Sequence, residues 1–561
     1  MPKRYFGLNP AYLTIYSEKN EILEFWAQST ECYKCPLTFV KEIHRHKNTS
    51  LLMNTVYPTI FEVRNAQCNK THHFIEKNNY NLDITDNGHC TLNFVEENDI
   101  YLPILWCALA YLLLGIVWFS AKFTYKQISS NDDDAQILIA SDLGSVEDEI
   151  PPAHHVTGSV ESTTTSLNPV NRNRSRLKSL DTFRGFSLIL MIFVNYGGGQ
   201  YYFFNHSVWN GLTVADLVFP WFIWIMGVSM VLSFHSLLRR AVPKWLILLK
   251  ILKRSAILFF LGLILNGRKG YTFESFRILG VLQRFSLCYL IVGCCDLLFT
   301  RPNDAHRPWW SRIRDIVFSW PQWICAIILI IIHTCLTFFL HDADCTKGYL
   351  GPGGLNNDES YNCTGGAAGI IDRAVLGLQH MYQTPTCRYI YDTKVPYDPE
   401  GILGILTSSF LVFLGLHAGK ILVFFDNHRS RIVRWLIWGV ITGVIGTILC
   451  KASKDEGWIP INKNLWSLSF VLILASMSFF LLSFLYWIID CARIWSGGPF
   501  LYAGMNSIFL YVGHEFTHGV FPWNWACPPS HLCYLASAAW GSTLWVIISI
   551  YLYYKKFFLI I

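Results

Sequence analysis

Charge is what this chain has least of. Asp, Glu, Lys and Arg make up 15% of its 561 residues, where a soluble domain carries roughly 25%. That deficit excludes an ordinary soluble globular protein. The formal charge of +6 is small for the length and no basic domain suggests a nucleic-acid partner, so none is expected. No internal repeat is strong enough to indicate a duplicated transporter. Cysteine, with 17 copies in the chain, is absent from 124–180. The opening stretch "MPKRYFGLNPAYLTIYSEKNEIL" has no apolar core of the signal-peptide kind. Either the first apolar span carries the preceding tail across a membrane by itself, or the native chain starts earlier; the second is the expectation.

What is present is apolar. Hydrophobic residues make up 52% of the chain, with 21 Trp and 39 Phe. Eleven stretches approach the roughly 20 apolar residues that a bilayer crossing needs: 101–123, 183–204, 212–235, 245–266, 276–300, 319–341, 401–425, 435–450, 465–487, 498–517 and 534–554. The expected fold is a polytopic α-helical membrane protein of about 11 transmembrane helices with a small β-rich lumenal N-terminal domain. Residues 1–100 form that domain, since short apolar runs ("PLTFV", "TIFEV", "TLNFV") alternate with polar segments. The first helix is 101–123, a Ser/Thr/Asn/Asp-rich disordered cytosolic linker is 124–180, and a ten-helix membrane domain fills 181–561.

Positive charge stays cytosolic. After the first span, one set of loops holds 18 Lys and Arg and the opposite set holds 9, which puts the C-terminus in the cytosol and, with an odd number of spans, residues 1–100 on the far side. Nine cysteines fall on that far side: Cys32, Cys35, Cys68, Cys90, Cys345, Cys363, Cys387, Cys527 and Cys533. This suits an oxidising lumen. Cys32 and Cys35 read as a structural disulfide rather than a zinc or redox pair, and the odd total leaves at least one thiol free or paired elsewhere. The sequons at Asn48, Asn69 and Asn362 share that side and are expected to carry glycan; the sequon at Asn173 is cytosolic and expected to stay bare.

Within the apolar region, "FVNYGGGQYYFFNHSVWNGLTVADLVFPWFIW" places Asn195, three glycines, His206 and Asp216 where hydrocarbon would penalise them. Gly197 to Gly199 weaken the helix, and unwound backbone is tolerated at depth where it lines a cavity. A break there lets the chain fold back and bring Asn195 and His206 together in a polar pocket. A helix contact made by small residues is the plainer alternative, but it leaves His206 and Asp216 unexplained. Arg284, inside "RILGVLQRF", needs a partner or water, with Asp216 a candidate. Asn506 lies within the tenth span, which ends at His514 and Glu515. "YDPEG" with Glu400 and "PINKNLWS" with Asn462 and Lys463 stand at lumenal span entries.

The blocks "RLKSLDTFRGFSLILMIFVNYGGG", "WNGLTVADLVFPWF", "RILGVLQR", "YDPEGILG", "INKNLWSLS" and "MNSIFLYVGHE" resemble the heparan-α-glucosaminide N-acetyltransferase family over roughly 175–530. The resemblance implies a lysosomal multi-pass enzyme, often a homodimer, whose ten-helix domain is the acyltransferase. It moves acetyl from cytosolic acetyl-CoA, a co-substrate, to the terminal glucosamine of heparan sulfate in the lumen, with no metal. It implies His206 as the functional histidine and Asn195 as its assistant.

That chemistry suits the residues. The amine must lose a proton, the carbonyl needs donors, and the two must be held close. His206 can take the proton or accept the acetyl itself, and Asn195 can donate to the developing oxyanion. Candidates for CoA are Arg184, Arg239, Arg240, Lys253, Arg254 and Arg284. Candidates for the sugar are Trp209 as a stacking face, Asp216, Glu400 or Glu515 for the ammonium, Lys463 or Arg268 for sulfate, and Asn462, Asn506 and His514 as further polar contacts. Two other classes compete. "HEFTH" at 514–518 fits the H-E-x-x-H zinc-protease pattern, and a polytopic small-solute transporter would need no chemistry.

Overall fold

The computed structural model describes residues 8–94, 99–128, 176–267, 272, 274–300, 313–342, 345–357, 360–523 and 525–559. Most of the linker at 124–180, the Asn173 sequon and Arg268 lie outside the described residues.

Alternation of buried and exposed side chains builds the N-terminal domain. Its strands are β1 (Ala11–Ser17), β2 (Leu23–Ser29), β3 (Thr38–Ile43), β4 (Thr49–Met53), β5 (Thr59–Arg64), β6 (Cys68–His72), β7 (Asn79–Ile84) and β8 (Cys90–Phe94). They form two sheets, ordered β4-β1-β7-β8 and β3-β2-β5-β6. β1 and β7 run parallel with Leu13 opposite Tyr80. The inward residues Leu13, Ile15, Phe25, Phe61, Val63 and Leu82 make one core between the sheets, each contributing about 1.5–3 kcal/mol on burial. The Cys68–Cys90 disulfide joins edge strand β6 to edge strand β8 of the other sheet. Cys32–Cys35, Cys345–Cys363 and Cys527–Cys533 are also paired. Cys387 is left as a buried thiol, so eight of the nine cysteines expected on one side are bonded.

The helices are α1 (Leu102–Ile128), α2 (Lys178–Asn195), α3 (Val214–Arg239), α4 (Lys244–Gly267), α5 (Val281–Phe299), α6 (Trp320–Phe339), α7 (Gly366–Leu376), α8 (Gly404–Phe424), α9 (His428–Cys450), α10 (Leu468–Tyr486), α11 (Phe500–Met505), α12 (Ser507–Thr517) and α13 (His531–Tyr554). Among the described residues, eight helices are long and apolar enough to cross a membrane: α1, α3, α5, α6, α8, α9, α10 and α13. The other three of the eleven expected spans are helical but broken or charged. α2 stops at Asn195, well short of the expected 204. α4 carries Lys244, Lys250, Lys253 and Arg254. The tenth span breaks at Asn506, whose amide donates to the Phe557 carbonyl at 2.8 Å while its oxygen accepts from Leu559 N–H at 3.1 Å. Windows of apolar residues do not reveal such interruptions. All three elements line one cavity, where charge and broken backbone are tolerated.

α8 is the centre of the bundle. It packs against α3 so closely that a Cβ on Gly227 would stand 2.0 Å from the Val412 carbonyl, and one on Gly415 2.0 Å from the Trp224 carbonyl. Small residues give helices in a membrane their closest approach. The N-terminal domain is clamped to one face of this bundle on two sides. Lys454 Nζ meets both Glu31 oxygens at 2.6 Å, and Asn356 donates to the Tyr33 carbonyl at 2.7 Å. On the other side His531 pairs with Glu76 at 3.1 Å. Burial opposes ionisation of Glu76, but hydrogen bonds from His531 and Asn9 outweigh it and hold the carboxyl below its usual range.

Candidate active site

The segment between α2 and α3 is built by backbone that side chains would forbid. Gly197, Gly198 and Gly199 have φ of 95°, 50° and 74°, the left-handed region that only glycine adopts readily. A Cβ on Gly198 would meet Phe204 Cβ at 2.5 Å. The chain therefore turns out of α2, makes two short turns, and re-enters as α3 through a capping box of Thr213 and Asp216. His206 hangs in this loop.

Asp216 is fully buried and collects every donor around it. Its Oδ1 lies 2.8 Å from His206 Nδ1. Its Oδ2 accepts from Ser207 N–H at 3.1 Å, Thr213 Oγ1 at 2.9 Å and Thr213 N–H at 3.3 Å. A carboxylate accepts only, so the shared proton sits on Nδ1 and leaves Nε2 as the ring's acceptor. The His206 side chain is 42% exposed, so that acceptor is reachable. Lys463 Nζ stands 2.9 Å from Nδ1, 3.2 Å from Nε2 and 3.5 Å from Asp216 Oδ1.

Asn195 belongs to a second group. Its Nδ2 lies 3.0 Å from His514 Nε2 and 3.3 Å from Glu515 Oε1. The glycine break thus aims Asn195 at α12 and His206 at α3. The expected direct pairing of the two is replaced by two adjoining polar clusters on one loop.

Both clusters stand one helical turn from the end of a cavity of about 570 Å³. Met191, Phe219 and Tyr511 line it, and they precede or follow Asn195, Asp216 and His514 by three or four residues. The opposite end is cationic, with Arg176, Arg184, Lys250, Lys253 and Arg254 in its wall. Arg184 donates to Asp181 Oδ1 at 3.0 Å and Ser229 Oγ at 2.6 Å, and Arg254 lies over the Tyr289 ring at 4.8 Å. The volume falls in the roughly 300–1,000 Å³ of small-molecule sites. Guanidinium and ammonium groups at one end suit a phosphate-bearing ligand.

Several expected roles change. Arg239 and Arg240 are exposed at the end of α3, outside the cavity wall, which α3 lines only as far as Leu237. Arg284 is buried away from both the cavity and Asp216. Its Nη2 donates to the Gly401 carbonyl at 2.7 Å and its plane lies 4.7 Å from the Trp466 ring, so it braces the start of α8. Trp209 is 1% exposed, its indole N–H donates to Leu350 O at 2.8 Å and its ring packs on Tyr397. It is a wall with no open stacking face. Asn462 donates to Asn210 Oδ1 at 2.9 Å and accepts from Leu465 N–H at 2.9 Å, which spends both ends of its amide on folding the turn. Asn506 is likewise spent on the C-terminal segment. His514 faces Asn195. α12 ends at Thr517, so His518 leaves the helix and the two histidines of "HEFTH" do not share a helical face as zinc ligation requires.

Arg277 was not singled out by its sequence context. It binds Asp398 with two hydrogen bonds of 2.9 and 2.7 Å and Glu400 at 2.6 Å. Burial opposes the charge on Glu400, but Arg277, Lys463 and Arg284 together hold its carboxyl below the usual range. Glu400 therefore links the Arg277 pair to the Lys463–Asp216–His206 cluster.

Asp372 lies behind this network, fully buried, with Oδ1 accepting from Ile402 N–H at 2.8 Å and Oδ2 without a partner. Burial pushes its carboxyl up to about 7 from 3.8. For a raised acid the penalty is absent below its ordinary value, grows as pH rises, and is complete above about 7. Asp372→Asn should therefore melt at higher temperature than the wild type at pH 8, and the difference should shrink to nothing as pH falls toward 4. Scanning fluorimetry in detergent measures it, and a difference independent of pH would refute this account of Asp372.

A helical membrane bundle, a buried carboxylate orienting an open histidine, and a cationic cavity ending one turn away define a membrane-embedded acyltransferase. Residues 176–306 match the family model described as heparan-alpha-glucosaminide N-acetyltransferase, catalytic. The chain is 46% identical over 459 residues to the Homo sapiens heparan-alpha-glucosaminide N-acetyltransferase, covering 80% of this chain and 68% of the relative. It is 39% identical over 597 residues to the Mus musculus protein of the same name, covering 98% and 88%. The chain belongs to the heparan-α-glucosaminide N-acetyltransferase family.

Proposed function

We propose that the protein moves acetyl from acetyl-CoA on the cytosolic side to the terminal non-reducing glucosamine of heparan sulfate in the lysosomal lumen. It does so in the lysosomal membrane, as a homodimer, with its N-terminus lumenal and its C-terminus cytosolic. The observation that carries the reading is the Asp216–His206 pair three residues along α3 from Phe219 in the wall of a cavity that five basic side chains also line.

Arg184, Lys253, Arg254, Arg176 and Lys250 hold the phosphates, and the acyl end points along the cavity toward the loop. Asp216 fixes the His206 ring, so that Nε2 is the atom that takes the amine proton or the acetyl group. Asn195 supplies an amide N–H for the oxyanion by releasing Glu515, the longer of its two contacts at 3.3 Å. Glu515 and Glu400 give the sugar ammonium its negative surroundings. An ordinary amide transfer lacking these groups would have to deprotonate an ammonium in bulk water; a positioned base supplies about 10²–10⁴-fold.

The acceptor is testable directly. Detergent-purified protein with labelled acetyl-CoA should label sugars with a free glucosamine amine. It should not label N-sulfated or already acetylated ends, because their nitrogen lone pair is engaged. Labelling of all three alike would defeat the reading. Topology is tested separately. Asn48, Asn69 and Asn362 are exposed, and at least one should carry glycan while Asn173 stays bare. Peptide mapping after deglycosylation reports this, and glycan on Asn173 would invert the orientation.

A further inference from the structure

Lys463 sits in a tight turn before α10. Asn462 fixes that turn through Leu465 N–H, and Trp466 N–H donates to the Lys463 carbonyl at 3.1 Å. The side chain is 10% exposed and shares the space in front of His206. Its distances to the two ring nitrogens are nearly equal, 2.9 and 3.2 Å, which puts Nζ over the ring edge between them. From there a rotation of the flexible four-carbon stem brings it onto the Nε2 lone pair.

A glucosamine amine has to come to this same place. It must lie within hydrogen-bond reach of His206, close to the carboxylates of Asp216 and Glu400. Lys463 Nζ is already such a group: a primary alkyl amine, drawn in by the same carboxylates, beside the same base. Sulfate recognition, the role its sequence context suggests, requires a cation open to a polyanion, and this one faces inward.

We propose that Lys463 occupies the acceptor-amine position and is itself acetylated on Nζ when acetyl-CoA is present without a sugar acceptor. This rests on the acetyltransferase reading above. The ammonium loses two protons, one to His206 and one that ends on the departing sulfur. The nitrogen lone pair forms a C–N bond to the acetyl carbon, and the thioester C–S bond breaks. The products are an amide on Lys463 and free CoA thiol, and nothing is oxidised or reduced. The amide cannot pass the acetyl on, it removes the cation from beside buried Asp216, and it fills the space the sugar needs. The acetylated protein is therefore closed, and the acceptor protects against closure by displacing Nζ.

The test uses purified full-length protein and radiolabelled acetyl-CoA. One arm contains excess glucosamine and one contains no sugar; each is quenched, treated with hydroxylamine to strip acyl-imidazole, digested and mapped. Expected are hydroxylamine-stable label on the Lys463 peptide without sugar, at least about tenfold less with sugar, and a loss of about 10²-fold or more in His206→Ala. Wild-type activity should decline during preincubation with acetyl-CoA alone. Lys463→Arg, whatever its starting rate, should not decline. Labelled sugar with an unlabelled Lys463 peptide overturns the proposal and leaves the transferase reading intact. Failure to label sugar overturns both. Equal labelling of Lys463 in wild type and His206→Ala marks non-enzymatic acetylation and also overturns it.

Discussion

His206→Ala is expected to fold, to bind CoA as the wild type does, and to lose acetyl transfer by about 10²–10⁴-fold or more. Folding should survive because the imidazole is 42% exposed and its removal leaves no large cavity. CoA binding should survive because Arg184, Lys253 and Arg254 are at the other end of the cavity. Asn195→Ala should lose less, about 10²–10³-fold, as for one missing oxyanion donor. The rate of purified, folded His206→Ala is the measurement. More than a tenth of wild-type turnover would remove His206 from the chemistry. If the loop only packed helices, this mutant would be silent while Gly198→Leu, driven into Phe204, would unfold the bundle.

Asp216→Asn should be comparably damaging by a different route. The carboxylate accepts from His206, Ser207 and Thr213 and faces Lys463. An amide keeps the shape but turns an NH₂ toward groups that are themselves donors. The imidazole then loses the acceptor that holds its tautomer, and an orienting carboxylate of this kind is worth up to about 10⁴ in turnover. The lost charge also removes the carboxylate 3.5 Å from Lys463 Nζ and leaves Glu400 to balance it, which lowers stability. We expect a turnover loss of about 10²–10⁴-fold with CoA affinity retained, together with a lower melting temperature. A turnover equal to wild type would show that Nε2 needs no orientation.

The sequence displayed His206, Asn195 and Asp216 because each breaks a local rule: polar side chains and three glycines inside an apolar run have few explanations. The Cys32–Cys35 disulfide was legible from its close spacing, whereas the partners in the other three pairs were not. Trp209, Asn462 and Asn506 were misread because their sequence context does not show whether a polar atom is already spent on a carbonyl far along the chain. The Leu350 and Phe557 carbonyls that engage Trp209 and Asn506 are 141 and 51 residues away. Arg284 and Asp216 looked like partners as two charges in apolar surroundings; the fold gives each a nearer one. Hydropathy located all eleven helical regions, and the glycine break after α2 and the charges of α4 were legible, whereas the break at Asn506 between α11 and α12 was not, because it is set by the distant Phe557 and Leu559 backbone. Lys463 was recognised as a cation but read as a sulfate contact, when the turn at Asn462 to Trp466 brings it to His206.

In the proposed reaction one site receives acetyl from one side of the membrane and delivers it to an amine on the other. Purified protein reconstituted into sealed vesicles tests it, with labelled acetyl-CoA outside and glucosamine trapped inside, using the fraction whose C-terminus faces out. The account predicts labelled N-acetylglucosamine inside the vesicles, dependent on His206. Product that forms only when both substrates share one compartment would contradict it.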